Sequence, residues 1–317
     1  MKRVIHVAVG VVVDGRGRVL IALRSEQTHQ GGLWEFPGGK CEPDEPVEHA
    51  LARELFEEVG ITVLHQYPFC LIRHDYGDKE VLLDVRKVDA FSGVAVGKEG
   101  QPIRWADTSA LEPSQFPAAN RSIIRRLQLP HSIVITGAAE SEEDFFDRFM
   151  RLLDTAPAMI QLRAPELDAT AFLARATRCL QLCRRCGVRL VLNTEPALGN
   201  HLRADGLHVN SQALLSLDHR PVADDRLFGA SCHTLEELQH AEMLGADFAF
   251  LSPVQETTSH PGRSALGWQT FQSLASAVSV PVFGLGGLTS DDVGVAQRHG
   301  AAGIAAISAW WPMPLGR

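Results

Sequence analysis

Gly38-Gly39-Lys40-Cys41-Glu42-Pro43-Asp44-Glu45-Pro46-Val47-Glu48-His49-Ala50-Leu51-Ala52-Arg53-Glu54-Leu55-Phe56-Glu57-Glu58-Val59-Gly60-Ile61 is the stretch from which the fold of this chain can be worked outward. A helix begun at Pro46 and turning about 100° per residue places Val47, Ala50, Leu51 and Leu55 on one side, as a core-facing stripe requires. Glu54 and Glu58 fall inside that stripe and Glu57 flanks it. Three carboxylates then share an arc of about 100°, at spacings where like charges repel. Buried bare, each would cost several kcal/mol, so the pattern calls for a neutralising cation. A solvated acidic face would not need its acids in the apolar phase. Oxygen-only ligands point to magnesium, with manganese as the alternative.

The flanks agree. Pro37-Gly38-Gly39 gives a loop whose backbone can approach a ligand closely, Pro46 suits the first helical position, and Gly60 suits the position past the last turn. The run from Gly39 to Glu45, then Arg53-Glu54-Leu55, Glu57-Glu58 and Gly60-Ile61, resembles the signature of the Nudix hydrolases at every defined position. That resemblance implies hydrolysis of a nucleoside diphosphate linked to another group, with magnesium on the glutamates.

The chain has 317 residues, 45% hydrophobic and 21% charged, enough for two globular domains. A net charge of −8 argues against a nucleic-acid polymer as partner and leaves a free nucleotide acceptable. The start, Met1-Lys2-Arg3-Val4-Ile5-His6, has no long apolar segment behind its charges, and no run of about eighteen apolar residues occurs. The expectation is a cytoplasmic protein without membrane contact. Nothing in the sequence sets an oligomeric state. Cys179, Cys183 and Cys186 cluster on one predicted helix, where a zinc site would need a ligand from elsewhere; ordinary packing explains them.

Along the chain, Val4 to Val13 and Val19 to Ala22 read as a hairpin about the Asp14-Gly15-Arg16-Gly17 turn. Thr62 to Leu71 and Val81 to Val88 alternate as strands around a turn at Gly77-Asp78. Gly97 to Gln101 is a loop, and a helix runs from about Arg121 to Leu127 before Pro130. Residues 1–130 thus form one domain, expected as a Nudix α/β/α sandwich on a mixed sheet.

Within it, Arg24, His29, Glu35-Phe36-Pro37-Gly38-Gly39-Lys40, Gly97-Lys98-Glu99-Gly100-Gln101 and Phe116-Pro117-Ala118-Ala119-Asn120 resemble the MutT branch of that family, which removes oxidised guanine nucleotides such as 8-oxo-dGTP. The resemblance implies metal on the Gly38 carbonyl, Glu54, Glu57, Glu58 and Glu99. It implies substrate contacts from Arg24, His29, Phe36, Gly39, Lys40 and Asn120. Arg53 can pair with Glu57 at i, i+4 and fix its rotamer, and Glu99 can hold metal or take the proton from water. An asparagine before a helix is also the usual N-cap, which gives Asn120 a second reading. The strand Val81 to Arg86 is more polar and less aromatic than in the best-known members.

From residue 131 to 317, eight short apolar runs alternate mostly with helical stretches, at Ile133–Thr136, Met159–Leu162, Leu190–Asn193, Gly206–Val209, Leu227–Ser231, Phe248–Leu251, Val282–Gly284 and Gly303–Ile307. The alternation predicts a (β/α)8 TIM barrel with functional residues just after the strands. Gln161-Leu162-Arg163, Asn193-Thr194, His208, Ser231-Cys232-His233, Gly286-Gly287 and Ile307-Ser308 resemble the thiamine phosphate synthase and TenI superfamily. The resemblance implies a phosphate cradle at Gly286, Gly287, Ile307 and Ser308, and hence a phosphorylated small molecule in the barrel. It departs from the synthase at Thr194 and at Asn210-Ser211-Gln212-Ala213, where two acids are missing, and near Ser259-His260, where a lysine is. His233 resembles the TenI proton-transfer histidine; a backbone-bonded helix-start residue is the other reading. The eighth helix is short or absent, leaving an apolar edge for Trp310, Trp311 or the first domain to cover. Three functions stay open: oxidised-nucleotide hydrolysis beside a barrel of separate purpose, a thiamine-pathway enzyme, and a barrel that only senses a ligand.

Overall fold

The β-branched run at the start of the chain forms strand β1 (Val4–Val12), whose side chains alternate between two layers. The computed structural model describes residues 4–26, 30–75, 80–257 and 264–314. The chain divides into two compact units, Met1–Leu129 and Pro130–Arg317.

In the first unit, β2 (Val19–Leu23), β3 (Trp34–Glu35), β4 (Gly38–Lys40), helix α1 (Val47–Val59), β5 (Thr62–Asp75), β6 (Glu80–Ser92), β7 (Ile103–Ala106) and α2 (Arg121–Gln128) follow β1 in order. One sheet has the order β4-β1-β6-β5 and a second the order β3-β2-β7. β1 runs parallel to β6 and antiparallel to β4, so the first sheet is mixed. Ala8 and Val12 pack with Ala50, Leu51, Leu55 and Val59 of α1. Val9 and Val11 pack with Ile123 and Ile124 of α2, together with Phe36 and Phe116. The period of two in β1 therefore places a helix on each face of the sheet.

The expected hairpin is only half right. Asp14 accepts backbone N–H bonds from Arg16 and Arg18, and its carboxylate is also held by the Arg18 guanidinium, so the turn forms. The chain pairs antiparallel at Val13 and Val19, and then β1 and β2 part into different sheets. Leu20 packs on the α1 side while Val19 and Ile21 face the α2 side, so β2 has its own core contacts and no need of β1 as partner. The expected turn at Gly77-Asp78 lies outside the described residues.

The second unit is a closed barrel of eight parallel strands, β8 (Ser132–Ile135), β9 (Met159–Arg163), β10 (Arg189–Asn193), β11 (Gly206–Val209), β12 (Leu227–Cys232), β13 (Phe248–Leu251), β14 (Val282–Leu285) and β15 (Gly303–Ala306). Between them lie α3 (Glu142–Asp154), α4 (Ala169–Cys186), the short α5 (Pro196–Gly199) and α6 (Ser211–Leu215), then α7 (Leu235–Met243), α8 (Gly267–Ala275) and α9 (Val293–Arg298). Leu207, Val209, Phe228, Ala230, Ala249 and Leu251 pack outward against Leu238, Ala241 and Phe271 of the helices. The alternate positions, His208, Gly229, Phe248 and Phe250, fill the interior, where His208 lies 4.5 Å from the Phe250 ring. A Cβ on Gly229 would come within 2.6 Å of His208 Nδ1, so glycine is what lets the imidazole sit there. Cys179 and Cys183 are buried in the α3–α4 core and Cys186 is exposed, with all three thiols free.

No helix follows β15 among the described residues. Trp311 takes that place: it is 7% exposed, its ring lies 5.3 Å from Phe145 of α3, and its backbone N–H is bonded to the Ile307 carbonyl. Trp310 packs against both halves of the barrel core. Trp311→Ala is expected to lower the stability of the barrel by about 3–5 kcal/mol, the usual cost of deleting a buried aromatic, read as an earlier urea midpoint for that unit.

Candidate functional site

Helix α1 starts after Pro46 and stops at Gly60, whose φ of 72° is the left-handed closing turn its type favours. Its buried residues are Ala50, Leu51, Leu55 and Val59, so the acids predicted between them are brought to the edge of the core. Glu54 is 16% exposed and Glu57 57% exposed.

What keeps these carboxylates together is a set of donors. Arg53 gives two hydrogen bonds to Glu45, of 3.0 and 2.9 Å, one of 2.9 Å to Glu54 and one of 3.3 Å to Glu57. The pairing with Glu57 was expected; those with Glu45 and Glu54 are shorter. The Arg53 bonds hold the Glu45 carboxyl down to about 2. Glu58 accepts a 3.1 Å bond from the Gly38 N–H. Burial pushes Glu58 up to about 7; the Gly38 N–H opposes this, while the charges of Glu35, Glu54 and Glu99 add to it.

Both glycines of the loop are required by contact. Gly38 has φ 146°, and a Cβ there would fall on the Ala8 carbonyl oxygen; a Cβ on Gly39 would fall inside the Glu54 carboxylate. Residues 97–101 close over the end of α1, where helix carbonyls lack intrahelical partners. The Glu58 carbonyl accepts the Lys98 N–H at 2.9 Å and the Gln101 amide at 3.0 Å, and Gln101 in turn receives the Glu99 N–H at 2.9 Å. Glu99 is exposed on this tied-down loop, near enough to act on Glu58.

On the neighbouring strands, Arg24 forms an ion pair with Glu35, and Glu35 is raised by burial against the opposing pull of that arginine. The Phe36 ring stacks on Phe116 at 5.8 Å. Asn120 is 9% exposed and makes no side-chain cap to α2; its Oδ1 accepts from the Phe36 N–H at 3.4 Å. The N-cap reading of Asn120 is therefore wrong, because its amide is turned towards the loop before Gly38. Lys40 is exposed, and its carbonyl accepts from Arg53 at 3.2 Å. His29 lies outside the described residues.

Among the described residues no three carboxylate, histidine or cysteine side chains stand in a ready-made coordination sphere. Glu54 and Glu57 are turned to Arg53, and Glu58 to Gly38. The donor chemistry still fits a hard divalent cation: oxygen ligands only, mutual repulsion that lifts Glu58, and a side-chain-free Gly39 against the Glu54 carboxylate.

In the barrel, Gly286 and Gly287 have φ of 100° and 69° and pack against the segment after β13, whose Gln255 N–H bonds the Gly286 carbonyl at 3.1 Å. Ile307 and Ser308 follow β15, with Ser308 exposed. His233 is bonded through Nδ1 to the Ser252 carbonyl at 2.9 Å, which fixes the proton on Nδ1 and leaves Nε2 as the acceptor. The backbone-bonded reading of His233 thus describes its Nδ1 and leaves its other nitrogen available. Inside, His208 Nε2 lies 2.8 Å from Ser231 Oγ, and burial pushes His208 down to about 3, so it is neutral. His208 Nδ1 and the Gln161 amide nitrogen are buried without a hydrogen-bond partner. Thr194 follows β10, and Asn210 caps α6 through its side chain to the Ala213 N–H at 2.8 Å, a structural use of a position where the synthase resemblance expects an acid nearby. Ser259-His260 lie outside the described residues.

Glu35, Glu45 and Gln101 stand inside the motifs read from the sequence but carried no assigned role there. The partner of each is 11, 8 or 43 residues away, a relation that only the strand register and helix end supply.

Two contrasts test this geometry. Gly39→Ala meets only the end of a flexible side chain, so the thermal transition should move by less than about 1 kcal/mol equivalent while divalent-metal affinity falls about tenfold. Gly38→Ala meets backbone in a left-handed conformation and should destabilise by about 2–3 kcal/mol. For pH, Glu58 binds its proton more tightly in the folded protein than in the unfolded chain. The metal-free fold therefore loses stability as pH rises from about 4.5 to about 7 and carries the full penalty above. Glu58→Gln should raise the metal-free melting temperature at pH 8, leave it nearly unchanged at pH 4, and abolish stabilisation by added metal.

Residues 8–126 match the NUDIX domain family and residues 132–310 the family described as thiamine monophosphate synthase. The chain is 36% identical over 124 residues to the 8-oxo-dGTP diphosphatase of Escherichia coli, a match that covers 39% of this chain and 96% of that protein. It is 31% identical over 169 residues to a thiamine-phosphate synthase of Desulfitobacterium hafniense, covering 53% of this chain and 82% of the relative. A solved structure from work on MutT of Aliivibrio salmonicida and Vibrio cholerae aligns at 35% identity, over 39% of this chain and 97% of its own, with a TM-score of 0.34. Nudix hydrolases generally act with divalent metal ions, in keeping with the oxygen donors of α1. The chain belongs to the Nudix family through its first unit, which makes it a Nudix pyrophosphohydrolase, and to the thiamine monophosphate synthase family through its barrel.

Proposed function

We propose that the first unit hydrolyses 8-oxo-dGTP to 8-oxo-dGMP and pyrophosphate, clearing an oxidised purine nucleotide before a polymerase can use it. Magnesium, or manganese in its place, would be held by Glu54, Glu57, Glu58, Glu99 and the Gly38 carbonyl. When bound, the metal supplies the positive charge that phosphoanhydride cleavage needs. Arg53 orients Glu54 and Glu57, Arg24 would receive phosphate, and Glu99, on a loop anchored through its own N–H, would either hold metal or take a proton from the attacking water. The observation that carries the substrate choice is Asn120. A buried amide that does not cap its helix, held against the Phe36 backbone beside stacked Phe36 and Phe116 rings, can both donate to and accept from a purine edge. The name of the Escherichia coli relative points to the same substrate.

The barrel, in this reading, binds a phosphorylated thiazole or thiamine-related compound at Gly286, Gly287, Ile307 and Ser308. A thiamine-pathway role for the whole chain is favoured by one observation, the fixed Nδ1 proton of His233, which leaves Nε2 as a base for metal-free proton transfer.

The test is magnesium-dependent turnover of 8-oxo-dGTP, dGTP, thiamine diphosphate and hydroxymethylpyrimidine diphosphate by the full chain. The expected order places 8-oxo-dGTP first, and Asn120→Ala should cut its preference over dGTP about 10- to 100-fold, the worth of one or two hydrogen bonds in a buried site. Preference for a thiamine compound, untouched by Asn120→Ala, would sink the nucleotide reading. Proton exchange on a thiazole carboxylate phosphate, abolished by His233→Ala, would establish the barrel as catalytic; binding without exchange would leave it a sensor.

A further inference from the structure

Glu35 is a largely buried acid that the chemistry above does not use, and it sits between two groups that the chemistry does use. β2 and β3 pair antiparallel with Ala22 opposite Glu35 and Leu23 opposite Trp34, and the ladder continues through the 2.9 Å bond from the Arg24 N–H to the Leu33 carbonyl. Arg24 and Glu35 are therefore diagonal neighbours on one face of the pair, within reach of long side chains, and their side chains meet in an ion pair. On its other side the charge of Glu35 reaches Glu58, ahead of those of Glu54 and Glu99. The next residue, Phe36, carries the N–H that holds Asn120. Beyond Pro37, Gly38 carries the N–H that holds Glu58. Four residues of one strand and loop thus tie together the arginine, the amide and the acids of α1.

An unrestrained arginine would follow a phosphate wherever it landed, since its side chain carries several rotatable bonds. An arginine held by a carboxylate on a short, paired strand keeps its guanidinium in one place. We infer that Glu35 is a positioning residue: it holds the Arg24 guanidinium at a set distance from the carboxylates of α1, so that a phosphate bound by Arg24 presents its reacting phosphorus to the groups on that helix. The inference rests on the assignment of Arg24 as the phosphate-binding arginine. A misplacement of the phosphate by about 1 Å is enough to lower turnover about a hundredfold, whereas binding through a displaced arginine survives.

The experiment compares Arg24→Ala, Glu35→Gln, Glu35→Asp and the Arg24→Ala/Glu35→Gln pair in the full chain, after thermal melts confirm folding. Two readouts are taken: affinity for 8-oxo-dGMP by calorimetry in EDTA, and kcat and KM for 8-oxo-dGTP with magnesium. Arg24→Ala should weaken 8-oxo-dGMP tenfold or more. Glu35→Gln should keep that affinity within threefold yet lower kcat tenfold or more, and Glu35→Asp, which keeps the charge but draws the guanidinium out of place, should lower kcat in the same direction. On the Arg24→Ala background, Glu35→Gln should change kcat less than twofold. An equal loss of kcat in both backgrounds would overturn the inference, because Glu35 would then act without the arginine; so would a kcat unmoved by either Glu35 variant. If Arg24→Ala leaves 8-oxo-dGMP binding intact, the arginine assignment itself falls and takes this inference with it, an outcome distinct from loss of coupling between two residues that both matter.

Discussion

Mutual repulsion among acids on one helical face is the constraint to which the first unit answers. Glu54, Glu57 and Glu58 occupy adjacent positions around α1 and cannot be separated without leaving the helix. The protein surrounds them with donors instead. Arg53 spans three carboxylates, the Gly38 N–H meets Glu58, and the loop after β6 closes the end of the helix through its carbonyls without bringing another anion into the core. These donors offset the repulsion in part. Glu58 shows what is left: burial first, and then the charges of Glu35, Glu54 and Glu99, push it up to about 7 against the Gly38 N–H. A site in that condition favours positive charge, and a proton or a cation would relieve the same electrostatic deficit.

Much of this was legible in the sequence because a helix converts spacing into direction. The period of 3.6 fixes which of Ala50, Leu51, Glu54, Leu55 and Glu58 share a side, and the residue types at Pro46 and Gly60 fix where the turn count begins and ends. The same economy holds in the barrel, where eight apolar runs sufficed for eight strands, because a strand buried on both faces has no other way to read. Relations between strands were not legible. The hairpin expected from Val4 to Ala22 had the correct turn and the wrong partner, since a tight turn does not oblige its arms to stay paired when each has a core of its own. The pairing of Glu35 with Arg24 was missed for the same reason, although both residues stand in the motif: it depends on register, which the sequence between Ser25 and Trp34 does not encode in any local pattern.

Asn120 shows how one residue can carry two readings until its geometry is known. Its position before α2 made capping the ordinary expectation. Here the helix is entered from a preceding single turn, Ala118–Asn120, so Asn120 already has helical backbone angles, and the extended conformation that lets a side chain reach forward to the N–H groups of a first turn is not available to it. The amide turns instead to Phe36. A local backbone choice at the residue just before a helix thereby turns a polar group away from that helix and onto the Phe36 backbone.

The polar groups inside the barrel are of a different kind. Inside the barrel and at the C-terminal ends of its strands, the buried polar groups among the described residues are neutral: Thr136, Gln161, His208 stripped of charge by burial, and Ser252. With Thr194 after β10 and Asn210 spent on capping α6, the described residues at this end of the barrel do not gather the carboxylates that would hold a divalent ion. A neutral, partly unsatisfied interior cannot stabilise charge by countercharge, but it can do so by dipoles already in place, and that mode needs no cation and no titration near neutrality. The orphaned Nδ1 of His208 and amide nitrogen of Gln161 are costs to folding that a polar ligand, or a water in its stead, would remove on arrival. The two units therefore differ in what their polar groups lack: countercharge among the acids of α1 in the first, and hydrogen-bond partners for His208 Nδ1 and the Gln161 amide nitrogen in the second.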